Sequence, residues 1–286
     1  MKKTIDELLR EAKGLLKDKG IKTWALDSEL LLSHLFSFSR VQLYTHSKEE
    51  VEEAIQEKYR DLILERIKGM PVQYLTNTKE FMSLPFYVDQ NVLIPRNDTE
   101  VLVEKALELI DEKESMILDM CTGSGCIAIS IAYYKKKSKV LGLDLSAPAL
   151  KVAQYNARLN GVDDRVYFIQ SNLFESLQED YLSKFDMIIS NPPYIPTEDI
   201  SRLEVEVKAY EPFMALDGGK DGLDFYRKII EKSKAYLKDK GILIFEIGYN
   251  QGKAVTEIFK SHGFSDISIK KDLAGLDRVV FGKFIK

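Results

Sequence analysis

Residues 117–130, ILDMCTGSGCIAIS, join a run of apolar residues to a helical pattern through a glycine-rich loop. Gly123 and Gly125 allow the backbone to turn tightly and to approach a ligand without Cβ clashes. Asp144 follows about twenty residues later, after a second apolar run, where an acidic residue commonly binds ribose hydroxyls. The loop therefore predicts a ligand site between the first strand and the first helix of an α/β unit.

Strand and helix patterns alternate on both sides of this loop, from residue 96 to the C-terminus. Such alternation predicts a Rossmann-like, mostly parallel sheet with helices on both faces. The last two strands are separated only by AGLD, so we expect them to form an antiparallel hairpin at the sheet edge. The predicted strands are 116–120, 139–144, 165–170, 185–190, 241–247, 267–273 and 278–284, and the predicted helices are 99–110, 125–134, 146–160, 222–237 and 251–262.

The first part of the chain has helical patterns only. A capping box of Thr4 with Glu7 opens the first helix, and a second box is predicted at Ser47 and Glu50. We therefore expect a small helical bundle over residues 1–71.

The next segment alternates aromatic and β-branched residues with polar ones. This pattern predicts a β-hairpin linker over residues 72–95, followed by an α/β domain over 96–286.

The fourth predicted strand of the sheet ends at Asn191-Pro192-Pro193-Tyr194. Ligands of open α/β sheets bind at the carboxyl ends of strands. Two prolines make a stiff segment, so its carbonyls and the Asn191 side chain could accept both hydrogens of an –NH2 group. Tyr194 could stack on a flat substrate. Fixing such a nitrogen and favouring its developing positive charge would assist attack on a methyl donor.

The glycine-rich loop by itself suits either a nicotinamide dinucleotide or S-adenosylmethionine. Two details favour the methyl donor. Asp119, two positions before the loop, could lie near a cationic amino-acid group. The terminal strand hairpin also fits a seven-stranded methyltransferase sheet better than a dehydrogenase sheet.

Composition narrows the class of protein. The 286 residues are 45% hydrophobic and carry a formal net charge of −4, which argues against tight nucleic-acid backbone binding. The two cysteines, Cys121 and Cys126, lie far from the histidines and match no zinc or disulfide pattern. The N-terminus is not a signal peptide, and no apolar run approaches the length of a membrane span. We therefore expect a cytoplasmic protein with no metal site and no membrane contact.

Taken together, these motifs resemble the peptide-chain release factor glutamine N5-methyltransferases, often called HemK or PrmC. Asn-Pro-Pro-Tyr alone is shared with adenine-N6 DNA methyltransferases, whereas other segments are more specific. The resemblance covers nearly the whole chain and includes PVQYL, EFMSLPFYVDQNVLIPRNDTE, DMCTGSGCIAI, LDLSAPALKVAQYNA, SNPPYI, YEPFMALDGGKDGLDFYRKII, FEIGYNQ and GLDRVV.

The resemblance implies a seven-stranded class I methyltransferase domain and an N-terminal bundle that helps to recognise release factors, the expected protein partner. The implied reaction methylates N5 of the glutamine in a Gly-Gly-Gln loop and converts S-adenosylmethionine to S-adenosylhomocysteine. Asn191, Pro192 and Tyr194 are the implied catalytic residues, and with Pro193 they would bind the substrate. The implied cofactor-binding residues are Cys121, Thr122, Gly123, Ser124, Gly125, Asp144, Leu145, Asn172, Leu173 and Asn191.

The chain departs from the usual family pattern at three positions. Cys121 stands where glycine is usual, Asn172 where aspartate is usual, and Asn97 where proline is common. The segment 95–100, which includes Arg96 and Glu100, is implied to close near the cofactor.

Two other functions fit part of the sequence. A nucleic-acid adenine methyltransferase shares Asn-Pro-Pro-Tyr but should carry a basic face or a target-recognition insertion, and the sequence has neither. A catalytically silent donor-binding protein would not need the intact tetrapeptide. We therefore expect a monomeric enzyme that acts on release factors and does not bind nucleic acid directly.

Overall fold

The computed structural model describes residues 2–111 and 113–286. Elements are labelled in chain order. The α-helices are α1 (Ile5–Asp18), α2 (Trp24–Phe36), α3 (Arg40–Thr45), α4 (Glu53–Ile67), α5 (Val72–Thr76), α6 (Asn97–Leu109), α7 (Cys126–Tyr134), α8 (Ala147–Leu159), α9 (Val205–Tyr210), α10 (Asp224–Tyr236) and α11 (Gly252–Ser261). The strands are β1 (Lys79–Phe81), β2 (Leu84–Phe86), β3 (Ser115–Met120), β4 (Ser138–Asp144), β5 (Val166–Gln170), β6 (Phe185–Ser190), β7 (Leu237–Glu246), β8 (Phe264–Lys271) and β9 (Asp277–Phe284).

The chain divides into two compact units. The first runs to Thr78 and also includes Glu204–Tyr210, and the second comprises Lys79–Leu203 and Glu211–Lys286. Residues 72–78, which the sequence pattern assigned to the linker, therefore lie in the first unit. Their first five residues form α5, whereas the predicted hairpin is confirmed in β1 and β2.

The first unit is a helical bundle, and its first helix begins where the sequence predicts. Thr4 and Glu7 form a complete capping box at the N-terminus of α1. The second predicted box is wrong, because α4 begins only at Glu53 and Glu50 instead pairs with Thr4 in an isolated bridge. The carbonyls of Ser47 and Glu49 accept hydrogen bonds from the first N–H groups of α1. Residues 47–50 therefore provide acceptors for the start of α1 and do not begin α4.

A buried arginine joins α9 to the other helices of the first unit. The Arg66 side chain is 3% exposed and pairs with Asp27 of α2 at 2.7 Å and with Glu206 of α9 at 2.5 Å. Since removing one partner of a buried pair leaves an uncompensated charge, this arrangement fixes Glu204–Tyr210 on the bundle.

The second unit is built on a sheet with the strand order β5-β4-β3-β6-β7-β9-β8. Strands β3 to β7 pair in parallel, and β9 lies antiparallel between β7 and β8. This confirms the α/β class, the seven strands and the antiparallel hairpin at one edge. The structure extends β7 back to Leu237 and β8 back to Phe264.

Both faces of the sheet are covered by apolar side chains. One layer joins α6, α7 and α8 to the sheet, and the other joins α10 and α11 to the opposite face. Adjacent parallel strands β4, β3, β6 and β7 end at the same edge, so the loops that follow them meet there. No helix within the described residues is long and apolar enough to cross a membrane.

Candidate active site

The glycine-rich loop follows β3, and the buried carboxylate of Asp119 holds it in place by hydrogen bonds. Asp119 is fully buried and accepts hydrogen bonds from the Thr122 hydroxyl at 2.6 Å and the Ala128 N–H at 3.2 Å. Burial raises the pKa of Asp119 to about 7, although these bonds oppose the shift. Asp119 therefore ties the loop to the first turn of α7, and its proximity to a donor amino group stays a prediction.

The loop uses left-handed backbone conformations at several positions. Gly125 has a φ of 80°, and a Cβ there would lie 2.9 Å from the Ile129 side chain and 3.1 Å from Ala153. Glycine is thus required there both by conformation and by space. Cys121 also has a positive φ, of 62°. Burial raises the pKa of its thiol far above the ordinary value, so it is not a thiolate nucleophile.

Asp144 ends β4 and is oriented by the backbone. One carboxylate oxygen accepts from the Gly123 N–H at 2.8 Å, and the other accepts from the Ser146 N–H at 2.9 Å. Burial raises the pKa of Asp144, and the backbone hydrogen bonds lower it. Each oxygen keeps acceptor capacity for a ligand hydroxyl.

A cavity of about 170 Å³ lies at the ends of β3, β4 and β6. Residues that the sequence did not single out also line it, among them Asn91, Met214 and Phe225. The structure brings together most of the implied site residues in its wall, namely Cys121, Gly123, Asp144, Leu145, Asn172, Leu173, Asn191 and Pro193. The other implied residues, Thr122, Ser124, Gly125, Pro192 and Tyr194, are not in the cavity wall.

Asn191 stands at the cavity edge, directly after β6. Its Nδ2 donates to the Thr99 hydroxyl at 3.2 Å. Within residues 2–111 and 113–286, no hydrogen bond is made to Asn191 Oδ1 or to the Pro192 carbonyl. The segment therefore presents two free acceptors, as expected for a site that binds an –NH2 group.

Tyr194 is held by contacts on both its backbone and its side chain. Its hydroxyl donates to Glu246 Oε1 at 3.3 Å, and its carbonyl accepts from Gln251 Nε2 at 3.0 Å. The ring packs against the buried apolar layer of the sheet. Tyr194 does not line the cavity, and its stacking on a substrate stays a prediction.

The glycines of 217–222 fit closely against the same residue. A Cβ on Gly218 would lie 2.7 Å from Tyr194 Cα, and one on Gly222 would lie 2.3 Å from the Tyr194 carbonyl oxygen. The Gly218 N–H also donates to the Ile195 carbonyl at 2.8 Å. The sequence did not reveal that this segment packs against Tyr194. Its repeated glycines were the one signal of such a close backbone contact.

Glu246 at the end of β7 is buried. It is 1% exposed, and burial raises its pKa to about 7, although the neighbouring Thr99 hydroxyl, the charge of Arg278 and the hydrogen bond from Tyr194 oppose the shift. Thr99 lies 92 residues from Asn191 in sequence, and nothing in the local pattern indicated their contact.

Arg96, Glu100 and Asn172 make contacts with residues that do not line the cavity. Glu100 accepts from the Met82 N–H at 2.6 Å and so supports the turn between β1 and β2, while Arg96 pairs with Glu211. Asn172 lines the cavity and donates to Glu175 at 3.0 Å. The described residues include no cluster of His, Cys, Asp or Glu that could hold a metal ion.

Known proteins share both units of this chain. Residues 7–76 match the PrmC N-terminal domain and residues 97–206 match the Methyltransferase small domain. The chain is 43% identical to the release factor glutamine methyltransferase of Clostridium acetobutylicum, over 96% of this chain and 97% of that protein. It is 41% identical to the protein of that name from Geobacter sulfurreducens, over 98% and 96% of the two chains.

A solved methyltransferase from Pyrococcus furiosus has the same fold. It is 18% identical, with a TM-score of 0.55 over 79% of this chain and 98% of that chain. The near full-length similarity to the curated relatives shows that the chain belongs to the family of release factor glutamine methyltransferases.

Proposed function

We propose that this chain transfers a methyl group from S-adenosylmethionine to N5 of the glutamine in the Gly-Gly-Gln loop of peptide chain release factors. One observation carries the proposal for the site: Asn191 Oδ1, at the cavity wall, and the carbonyl of the adjacent Pro192 accept no hydrogen bond from the described residues. The curated relatives, which cover nearly all of the chain, are named for the same reaction.

The cavity residues fit the methyl donor chemically. Asp144 offers carboxylate oxygens to ribose hydroxyls, and Leu145 and Leu173 offer apolar surface to an adenine ring. Gly123 keeps the loop free of a side chain at the cavity wall. When bound, S-adenosylmethionine supplies an electrophilic methyl group on a positively charged sulfur.

The acceptor side of the site compensates for a weak nucleophile. An amide nitrogen delocalises its lone pair, so it must be held in a reactive orientation. Asn191 Oδ1 and the Pro192 carbonyl would accept its two hydrogens and favour the positive charge that develops on it. The methylated nitrogen is acidic and loses its proton afterwards, so a strong general base is not required.

The direct test is methylation of a purified release factor with labelled S-adenosylmethionine, followed by mapping of the modified residue by mass spectrometry. We expect the label on the Gly-Gly-Gln glutamine. Label on DNA adenine alone would contradict the proposal, and so would donor binding without any transfer. The monomeric state, the absence of nucleic-acid binding and the cytoplasmic location stay predictions.

A further inference from the structure

A buried glutamine side chain joins three loops at the carboxyl edge of the sheet. Gln251 immediately precedes α11 and is buried. Its Nε2 donates to the Tyr194 carbonyl at 3.0 Å and to the Gly222 carbonyl at 3.2 Å. Its Oε1 accepts from the Gly248 N–H at 2.9 Å. Both ends of this side-chain amide are therefore bonded to backbone groups.

The chemistry of these partners allows only one orientation of the Gln251 amide. A backbone carbonyl accepts but cannot donate, and a backbone N–H donates but cannot accept. The two hydrogens of Nε2 must therefore point to the carbonyls of Tyr194 and Gly222, and Oε1 must face Gly248. A buried polar network with every bond satisfied specifies a single arrangement. Gln251 thus holds the two carbonyls at a fixed separation.

Two glycines leave just enough room for this amide. A Cβ on Gly222 would lie 2.8 Å from Gln251 Nε2, and one on Gly248 would lie 3.0 Å from Gln251 Oε1. Gly222 also has a φ of 73°, in the left-handed region that favours glycine. A side chain at either position would push the amide away from its partners. The backbone on both sides therefore fits closely around the Gln251 side chain.

The tetrapeptide 191–194 is held at both of its ends. Before it, the Ser190 hydroxyl donates at 2.6 Å to a carbonyl of the neighbouring strand β3. After it, the Tyr194 carbonyl is held by Gln251. The two prolines between these anchors each have a φ that the ring fixes. Few directions are therefore open to the Pro192 carbonyl while both anchors are in place.

The bond from Gln251 to Gly222 belongs to a wider contact between the same two loops. Ile195 exchanges two backbone hydrogen bonds with residues 216–218, at 3.1 Å and 2.8 Å. The cavity wall includes three residues of the preceding stretch, namely Pro212, Met214 and Ala215. Gln251 therefore helps to hold the tetrapeptide in register with part of the cavity wall.

We propose that Gln251 is a positioning residue that aims the Pro192 carbonyl at the substrate amide. This inference rests on the proposed function, because it assigns that carbonyl to a hydrogen of the target glutamine. Gln251 does not line the cavity, so it acts through the Tyr194 carbonyl and the stiff segment before it. Correct placement of the acceptor matters because small displacements of an orienting group strongly reduce turnover.

The first test is Gln251→Met. Methionine has a similar length to glutamine but provides no hydrogens for the carbonyls of Tyr194 and Gly222. We expect kcat to fall roughly tenfold to a hundredfold, because the displaced acceptor no longer orients the nitrogen. The KM for the release factor should change much less than kcat, and the Kd for S-adenosylhomocysteine should stay close to that of the wild type.

Tyr226→Phe is the matched control for this substitution. The Tyr226 hydroxyl donates to the Glu246 carbonyl at 2.9 Å and lies 3.4 Å from Gln251 Oε1. Its removal deletes a buried hydrogen bond beside Gln251 but leaves both bonds of Nε2 intact. Tyr226→Phe should therefore lower the free energy of unfolding and retain most of the turnover, which separates loss of stability from loss of positioning.

The second test observes the Pro192 carbonyl itself and needs no substrate. The chain has 8 prolines, so protein labelled with ¹³C at the proline carbonyl gives few signals. The Pro192 signal is identified by its loss in Pro192→Ala. We expect this signal to shift in Gln251→Met and to keep its position in Tyr226→Phe.

Three results would overturn the proposal. They are unchanged turnover in Gln251→Met, an unshifted Pro192 signal in that variant, and a loss of S-adenosylhomocysteine affinity as large as the loss of kcat. Failure of the wild type to methylate a release factor would instead contradict the proposed function. The carbonyl signal would then still decide whether Gln251 positions Pro192.

Discussion

Two buried carboxylates occupy similar places at the ends of β3 and β7. Asp119 lies beside the glycine-rich loop 121–125, here called the donor loop, and Glu246 lies beside residues 191–194, here called the acceptor segment. Burial raises the pKa of each to about 7, and each has one oxygen without a partner among the described residues. Their partners differ: Asp119 binds residues within nine positions of itself. Glu246 accepts a hydrogen bond from Tyr194, which is 52 positions away. The donor loop is therefore built locally, whereas the acceptor segment depends on tertiary contacts.

The largest expected effect comes from Asn191→Ala, which removes the side-chain acceptor Oδ1 and leaves the Pro192 carbonyl. Turnover should fall well over tenfold, because the substrate nitrogen loses one of two groups that orient it. Donor binding should fall much less. Single-turnover methylation and calorimetric titration with S-adenosylhomocysteine measure the two quantities, with Asn160→Ala as a control. Equal losses of both would mean that Asn191 serves the donor.

Asp144→Ala tests the donor side of the site, where we expect donor binding to change more than turnover. Removal of the carboxylate leaves the Gly123 and Ser146 N–H groups without their acceptor and removes the expected partner of the ribose. We expect the donor Kd to rise about tenfold or more, with kcat at saturating donor less affected. An unchanged Kd would exclude Asp144 from the donor site.

The pH dependence of stability tests the two buried carboxylates directly. A carboxyl whose pKa rises on folding holds more protons in the native state, so its contribution is fully present below its ordinary pKa near 4. That contribution is lost as the pH rises through about 7, with a slope of up to about 1.4 kcal/mol per pH unit for each group. Urea unfolding from pH 4 to pH 8 should show this decrease. Asp119→Asn and Glu246→Gln should each flatten it. A wild-type profile that is already flat would exclude the raised pKa values.

The comparison also explains what the sequence predicted and what it did not. The loop after β3, its glycines and the approach of Asp144 follow from local spacing, so the sequence indicated the donor cavity well. The strand ending at Asn191 was equally visible. Thr99 and Gln251 were not identified, because their contacts with Asn191 and Tyr194 join positions 92 and 57 residues apart. The false capping box at Ser47 and Glu50 has the same cause, since this segment instead contacts the start of α1.

The smallest expected effect concerns Cys121, the unusual residue of the donor loop. Its φ of 62° lies in the left-handed region, which costs a non-glycine residue about 1–2 kcal/mol. Glycine removes this strain but loses roughly 0.5–1 kcal/mol through the greater freedom of the unfolded chain. Cys121→Gly should therefore raise the free energy of unfolding by at most about 1.5 kcal/mol.

Cys126 supplies the matched control for this substitution. It begins α7 in ordinary helical backbone and is buried, so Cys126→Gly should destabilise the protein by about 1 kcal/mol or more. Opposite signs at the two cysteines, measured by urea unfolding, would locate the strain at the donor loop. Equal destabilisation would show that the packing of the Cys121 side chain outweighs the strain of its backbone. In that case cysteine would stabilise this loop better than glycine does.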